Sequence, residues 1–228
     1  PDTALHLMLS RIRVGDHVGA ARLRSRLEEH ITSSVDYVLS TPVGLNPSTH
    51  YFTYDMLQLA LENSFVQGGL ILEFGVYHGE TIRMIASYFP NEKVHGFDTF
   101  SGIPEDWHYT PSGSYSTHGS LPVAPDTVRY HVGLFSETLP GFLETHPGLP
   151  IRFINIDCDL YSSTRDVLDS VCERIVPGTV IIFDEYVINP HWKEDEYRAF
   201  QEAVEKYGWK YEYIGISLVS QQAVVRIV

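Results

Sequence analysis

The sequence predicts one α/β domain: a mostly parallel open sheet of seven strands with crossover helices, its last two strands joined by a short polar connection, preceded by a helical N-terminal cap. Two observations predict it. From Leu70 onward, short apolar runs rich in β-branched and aromatic residues alternate with stretches of helical period, the pattern of consecutive βαβ units. Before Leu70, apolar residues recur at helical spacing. Composition agrees: 228 residues suffice for one sizeable core but are few for two, and hydrophobic and charged shares of 43% and 20% are those of an ordinary globular chain.

The cap is expected over residues 1–66. Leu23, Leu27 and Ile31, then Met56, Leu57, Ala60 and Leu61, mark its helices, with an interruption near Pro42 to Pro47. Gly68-Gly69 mark the change to the second region, residues 67–228. Its first five strands are Leu70 to Phe74, Val94 to Phe97, Val128 to Val132, Ile151 to Ile156 and Val180 to Phe183. Helices are expected at Glu80 to Tyr88, Ser136 to Thr145, Ser162 to Arg174 and Glu194 to Tyr207, and the closing strands at Lys210 to Ile216 and Gln222 to Val228. One connection stands apart. Phe100 to Thr127 is rich in Gly, Pro, Ser and Thr, carries several aromatics and histidines, and has no helical period. Loops this long inside compact domains are mostly lids or binding loops, so it is the candidate cover of a site.

A formal charge of -13 offers no basic footprint and repels polyanions, which argues against nucleic acid as a partner. Cys158 and Cys172 lack metal-site spacing and read as reduced core thiols. No apolar run reaches the roughly 20 residues of a membrane span, and Pro1 to Ser10 lack the pattern of a signal peptide. A cytoplasmic protein is expected, without a membrane partner. The helical N-terminus is a candidate subunit contact for a homodimer.

In an open parallel sheet, ligands bind beyond the carboxyl ends of the strands, so the residues just after each strand matter most. Strand one runs into Glu73, Phe74, Gly75, Val76, Tyr77, His78, Gly79, Glu80 and Thr81, a turn whose glycines let backbone amides approach a ligand. Its spacing departs from the GxGxxG dinucleotide fingerprint. Strand two ends at Asp98, where an acid suits the vicinal hydroxyls of a ribose; capping a turn at Thr99 or Ser101 is the plainer alternative. Strand four leads into Asp157-Cys158-Asp159 and strand five into Asp184-Glu185. If those strands are neighbours, four carboxylates converge, a costly arrangement unless a cation, protons or basic groups compensate, and hard oxygen ligands suit Mg²⁺, Ca²⁺ or Mn²⁺ better than zinc. Otherwise Asp159 caps the next helix while Asp184 and Glu185 face water.

Five strings in order, at 72–76 (LEFGV), 96–107 (GFDTFSGIPEDW), 133–140 (GLFSETLP), 156–164 (IDCDLYSST) and 177–186 (PGTVIIFDEY), resemble the macrocin O-methyltransferase (TylF-like) family. The likeness covers roughly Leu70 to Phe200. It implies a Rossmann-like class I methyltransferase fold, whose last two strands close the sheet as an antiparallel hairpin, with S-adenosylmethionine as cofactor and a small-molecule hydroxyl, on a sugar or natural-product scaffold, as methyl acceptor. Mapped onto matching positions, it implies that the turn from Glu73 to Thr81 lines the cofactor site and that Asp98 holds the ribose. Thr99, Phe100, Ser101, Gly133, Phe135 and Asp157 would border the same site. Asp159, Asp184 and Glu185 would match the family's metal site, although this chain has Asp184-Glu185 where metal-dependent members carry Asp-Asp.

In that chemistry the protein must align the acceptor oxygen and take its proton. Asp159 is the candidate base if a metal binds, and His108 or His118 from the long loop if none does, since an imidazole titrates near neutrality. Glu105, Trp107, Tyr109 and Tyr115 are candidates for shaping the acceptor pocket. Two rival readings use the same residues: a metal-dependent hydrolase, whose usual GxSxG and HExxH motifs are absent, and a non-catalytic S-adenosylmethionine-binding protein.

Overall fold

The computed structural model describes residues 3–228. Pro1 and Asp2, with which the expected cap and the leader-free start begin, lie outside the described residues. The N-terminal region is helical as expected: α1 (Thr3–Arg13), α2 (His17–Arg24), α3 (Glu29–Ser40), a 3₁₀ turn at Pro47–His50 and α4 (Thr53–Glu62). Polar side chains set its breaks. Asp16 accepts the Gly19 amide at the start of α2, and Asn46 accepts the Ser48 amide ahead of the 3₁₀ turn.

Seven strands follow: β1 (Leu70–Phe74), β2 (Val94–Asp98), β3 (Val128–Val132), β4 (Ile151–Ile156), β5 (Val180–Phe183), β6 (Tyr211–Ile216) and β7 (Ala223–Ile227). The helices between them are α5 (Glu80–Tyr88), α6 (Phe135–Thr145), α7 (Tyr161–Val171) and α8 (Glu196–Tyr207). The helix expected to run to Arg174 tightens to a 3₁₀ turn at Cys172–Arg174, and the one expected from Glu194 begins at Glu196. The sheet order is β3-β2-β1-β4-β5-β7-β6; β1 to β5 pair in parallel, and β7 lies antiparallel to both β5 and β6. Phe74 pairs with Phe97 on one side and Ile156 on the other, so β1, β2 and β4 end level with one another.

The side-chain period of two divides the core between the faces of the sheet. Leu72 and Phe74 point into one apolar cluster, with α6, α7, α8 and residues Leu5, Met8, Val35 and Val38 of the cap helices. Ile71 points into the other, with Met56 and Leu57 of α4 and Ile82 and Ile85 of α5. The cap helices thus share the sheet's core. Among the described residues no helix is long and apolar enough to cross a membrane.

Candidate active site

The order of the strands reverses at β1, which sends β2 to one side and β4 to the other, and the crevice of such a sheet opens at that point. A cavity of about 510 Å³ lies there, bounded by the turns after β1, β2, β4 and β5 and by the 100–127 loop. Gly75 forms its floor. At φ 86° a Cβ there would stand 1.7 Å from the Asp157 carbonyl oxygen, so only glycine lets the ends of β1 and β4 approach this closely.

On the β1–β2 side, the carboxylate that faces the cavity is satisfied. Asp98 accepts the amides of Val76 and Tyr77 on Oδ2, at 2.7 and 2.8 Å, and that of Phe100 on Oδ1, at 2.7 Å. The acid therefore caps the turns after both strands while still facing the cavity, which leaves one lone pair on Oδ1 for a further donor. Tyr77, in a left-handed conformation, stands edge-on to Tyr115 of the long loop, 6.1 Å between ring centroids. Together they wall the mouth.

On the β4–β5 side, the four expected carboxylates do converge, and Asp157, Asp159, Asp184 and Glu185 all line the cavity. Among the described residues no side chain or amide donates to Asp157, Asp159 or Glu185, and no lysine, arginine or histidine lines the space. Removal from water, reinforced by neighbouring carboxylates, pushes Asp159 up to about 7 and Glu185 up to about 8. Burial raises Asp184 to about 6, restrained by a 2.6 Å hydrogen bond from the Gln222 amide. Asp157 is raised for the same reasons, burial first. Neither alternative position holds: Asp159 adopts φ 61° and does not cap α7, whose start has no side-chain cap, and Asp184 and Glu185 are only part exposed. Such a set of hard oxygens without a counter-charge has the chemistry that suits a small divalent cation, although among the described residues no three of them bring an oxygen each within 4.8 Å of one another.

The structure separates other candidates from this cavity. Phe74 is fully buried and stacks on Phe97; Val76 packs into the core and offers only its amide; Phe100 packs against Tyr130. Glu73 lies beneath the cavity, with Oε1 bonded to Asn155, Oε2 unpartnered and Thr81 nearby, and burial raises it to about 8. Glu80 turns to the Tyr54 hydroxyl on the outer face of α5. Gly79 shapes the turn into α5, Gly133 donates to the Asp98 carbonyl, and Ser101 is exposed. Thr99 and Phe135 do line the cavity. Neither histidine does: His118 is exposed, and the hairpin pairing of Trp107 with Thr110 turns His108 toward Asp195. Tyr109 is 94% exposed and lies against His191 instead of the cavity.

Sequence reasoning missed Ile103, Leu134 and Ser162, which line the cavity, and Glu196, which stands behind it. Glu196 is fully buried at the start of α8; Oε2 accepts the Glu185 amide at 3.0 Å and Oε1 has no partner. Nothing in local spacing relates it to Glu185. Ser162 could have been found, since it follows Asp159 at the opening of α7; its hydroxyl donates to Glu105 of the long loop at 2.5 Å. The loop is a cover as expected, and it is folded on itself through the Phe100 carbonyl and the Ile103–Ser114 pairing.

A family profile described as a methyltransferase domain matches residues 72–186. The chain is 30% identical over 199 residues to the 8-demethyl-8-(2,3-dimethoxy-alpha-L-rhamnosyl)-tetracenomycin-C 4'-O-methyltransferase of Streptomyces olivaceus, across 76% of this chain and 69% of that protein. It is 37% identical over 76 residues to the demethyldecarbamoylnovobiocin O-methyltransferase of Streptomyces niveus, across 32% of this chain and 28% of that one. Among solved structures, the calicheamicin methyltransferase CalS11 superposes with a TM-score of 0.62 at 21% identity, over 87% of this chain and 91% of its own; the likeness speaks for the fold alone. Sheet order, the glycine floor and these matches agree: the chain belongs to the methyltransferase-domain family and is an S-adenosylmethionine-dependent O-methyltransferase of class I fold.

Proposed function

We propose that the methyl acceptor is a hydroxyl of a sugar or another natural-product scaffold, that the chain belongs with the macrocin O-methyltransferase (TylF-like) branch, and that Asp159 is the general base. One observation carries the reading of the site. The carboxylates of Asp159, Asp184 and Glu185 share a cavity with Gly75 and Asp98, so a donor end and an acceptor end meet in one space. The acceptor class draws support from the relatives, whose names describe a rhamnosyl-tetracenomycin and a novobiocin precursor as their substrates.

S-adenosylmethionine supplies a sulfonium methyl, which an oxygen nucleophile takes as the carbon–sulfur bond breaks. The chain's own residues would do the rest. Asp98 would offer its remaining Oδ1 lone pair to the ribose, Gly75 would leave room for the nucleoside, and Tyr77 and Tyr115 would close over it. The acceptor's O–H proton would pass to Asp159, whose carboxyl burial and neighbouring carboxylates hold near 7 in the metal-free protein. Asp159, Asp184 and Glu185 would hold Mg²⁺, which when bound lowers the pKa of a hydroxyl lying on it. Glu185 stands where the resemblance leads one to expect Asp, and its backbone amide is held by Glu196. Two free cysteines agree with a reducing, cytoplasmic setting, and the exposed Leu7, Val14 and Val18 agree with a homodimer contact on the cap helices.

Transfer of labelled methyl from S-adenosylmethionine to a panel of glycosides and phenols, with and without chelator, tests the reading. Product with the panel, lost in chelator and restored by Mg²⁺, is expected. Product formed equally in chelator would remove the metal, and product from Asp159→Asn at the wild-type rate would remove the base.

A further inference from the structure

Outside the methyl-transfer cavity, a second group of ligating side chains joins the lid to the segment that follows β5. His108 from the lid and His191 and Glu194 from the β5–α8 connection offer ligand atoms that all lie within 4.8 Å of one another. The two imidazoles stack, 3.7 Å between centroids and 13° between planes, and His191 Nδ1 stands 3.7 Å from Glu194 Oε1. We propose that His108, His191 and Glu194 bind a divalent transition-metal ion of zinc type, which fastens the lid to the β5–α8 connection.

Three features of the chain support it. First, Asp195 is 4% exposed and takes the Nε2 side of His108, at 2.9 Å, together with the Trp107 indole N–H at 3.2 Å. A buried carboxylate that holds one ring nitrogen as donor leaves the other, Nδ1, with its lone pair free, which is how metal-bound histidines are commonly oriented. Second, two imidazoles and one carboxylate are the ligand set of open three-residue zinc sites, in which water completes the tetrahedron; the all-carboxylate cavity suits harder cations instead. Third, the movement needed is small. Tetrahedral zinc with bonds of about 2.0–2.1 Å sets its ligand atoms about 3.3 Å apart, so atoms that all lie within 4.8 Å of one another need close by at most roughly 1.5 Å. The exposed Glu194 side chain and a swing of the His191 ring off the stack can supply that closure.

The ion would hold the lid where Trp107 and His108 already touch Asp195. The lid also reaches the cavity through Glu105 and Tyr115, so fastening it would retain whatever lies beneath. The site makes no use of the methyl-transfer carboxylates, and it stands or falls independently of how the acceptor is deprotonated.

The test is titration of the unliganded protein with zinc chloride in the presence of excess Mg²⁺, followed by calorimetry and by amide hydrogen exchange over 107–110. Wild type and Asp184→Asn should each bind zinc at this site, while His191→Ala and Glu194→Gln should bind at least about tenfold more weakly. Zinc should slow exchange of the paired Trp107 and Thr110 amides in wild type but not in His191→Ala. The same zinc affinity in wild type and His191→Ala, no zinc binding by folded wild type, or exchange at 107–110 indifferent to zinc would each overturn the proposal.

Discussion

The two ends of the cavity are built from the same residue type and treat it in opposite ways. Asp98, after β2, has both carboxylate oxygens engaged by backbone amides that the turns after β1 and β2 aim at it. Asp157, Asp159 and Glu185, after β4 and β5, have no donor among the described residues and are raised by burial and mutual repulsion. A satisfied carboxylate is part of the scaffold, whereas an unsatisfied cluster stores unfavourable energy that a ligand can relieve. The same architecture therefore holds a rigid end for a cofactor and a charged end awaiting a cation, a proton or both.

The largest expected effect separates the ends by function. Asp159→Asn should lower kcat by about 10²- to 10⁴-fold, as loss of a general base does, with the affinity for S-adenosylhomocysteine measured by calorimetry unchanged. Asp98→Ala should do the reverse, weakening that affinity by about tenfold or more. Should Asp159→Asn abolish cofactor binding, the two ends would not be separate.

Stability should move in opposite directions too. Asp98→Ala leaves three amides without their acceptor and should lower Tm, while Asp159→Asn or Glu185→Gln should raise the Tm of the metal-free protein at pH 8. The sign follows from linkage. A carboxyl whose folded value lies above its unfolded one keeps its proton longer in the folded state, so stability is lost as pH rises between the two values. For the fully buried Glu73, raised to about 8, the loss should be about 1.4 kcal/mol per pH unit from roughly pH 4.5 to pH 8. Glu73→Gln should flatten that part of the profile, measured by chemical denaturation across pH. The smallest effect belongs to the lid: Trp107→Phe removes one hydrogen bond to Asp195, worth about 1 kcal/mol, and should raise the acceptor KM severalfold without changing kcat.

Much of this was legible residue by residue. The strand ends announced themselves because an apolar run stops at a polar residue, which placed Asp98, Asp157 and Asp184 before any coordinates. The inward or outward sense of residues near those ends was not legible. Phe74 and Phe100 sit in matching motifs yet pack into the core, while Thr99 beside them reaches the cavity. Side chains alternate across a strand, and a left-handed residue such as Phe100 or Asp159 resets that alternation without a local signal. The direction of His108 was hidden for a related reason: beside the Trp107–Thr110 pairing its ring meets Asp195, outside the cavity lining.

The amino-acid sequence by itself determined the βαβ succession, the two closing strands, the lid as an irregular cover and the acidic character of the β4–β5 side. Periodicity and turn chemistry act over a few residues and survive without the rest of the chain. Only the tertiary structure decided that Glu196 stands behind Glu185, that Glu73 lies under the floor, and that His108 meets His191 and Asp195. Those contacts join segments far apart in the chain, and they arise from how helices and loops settle on a finished sheet, which no short-range pattern encodes.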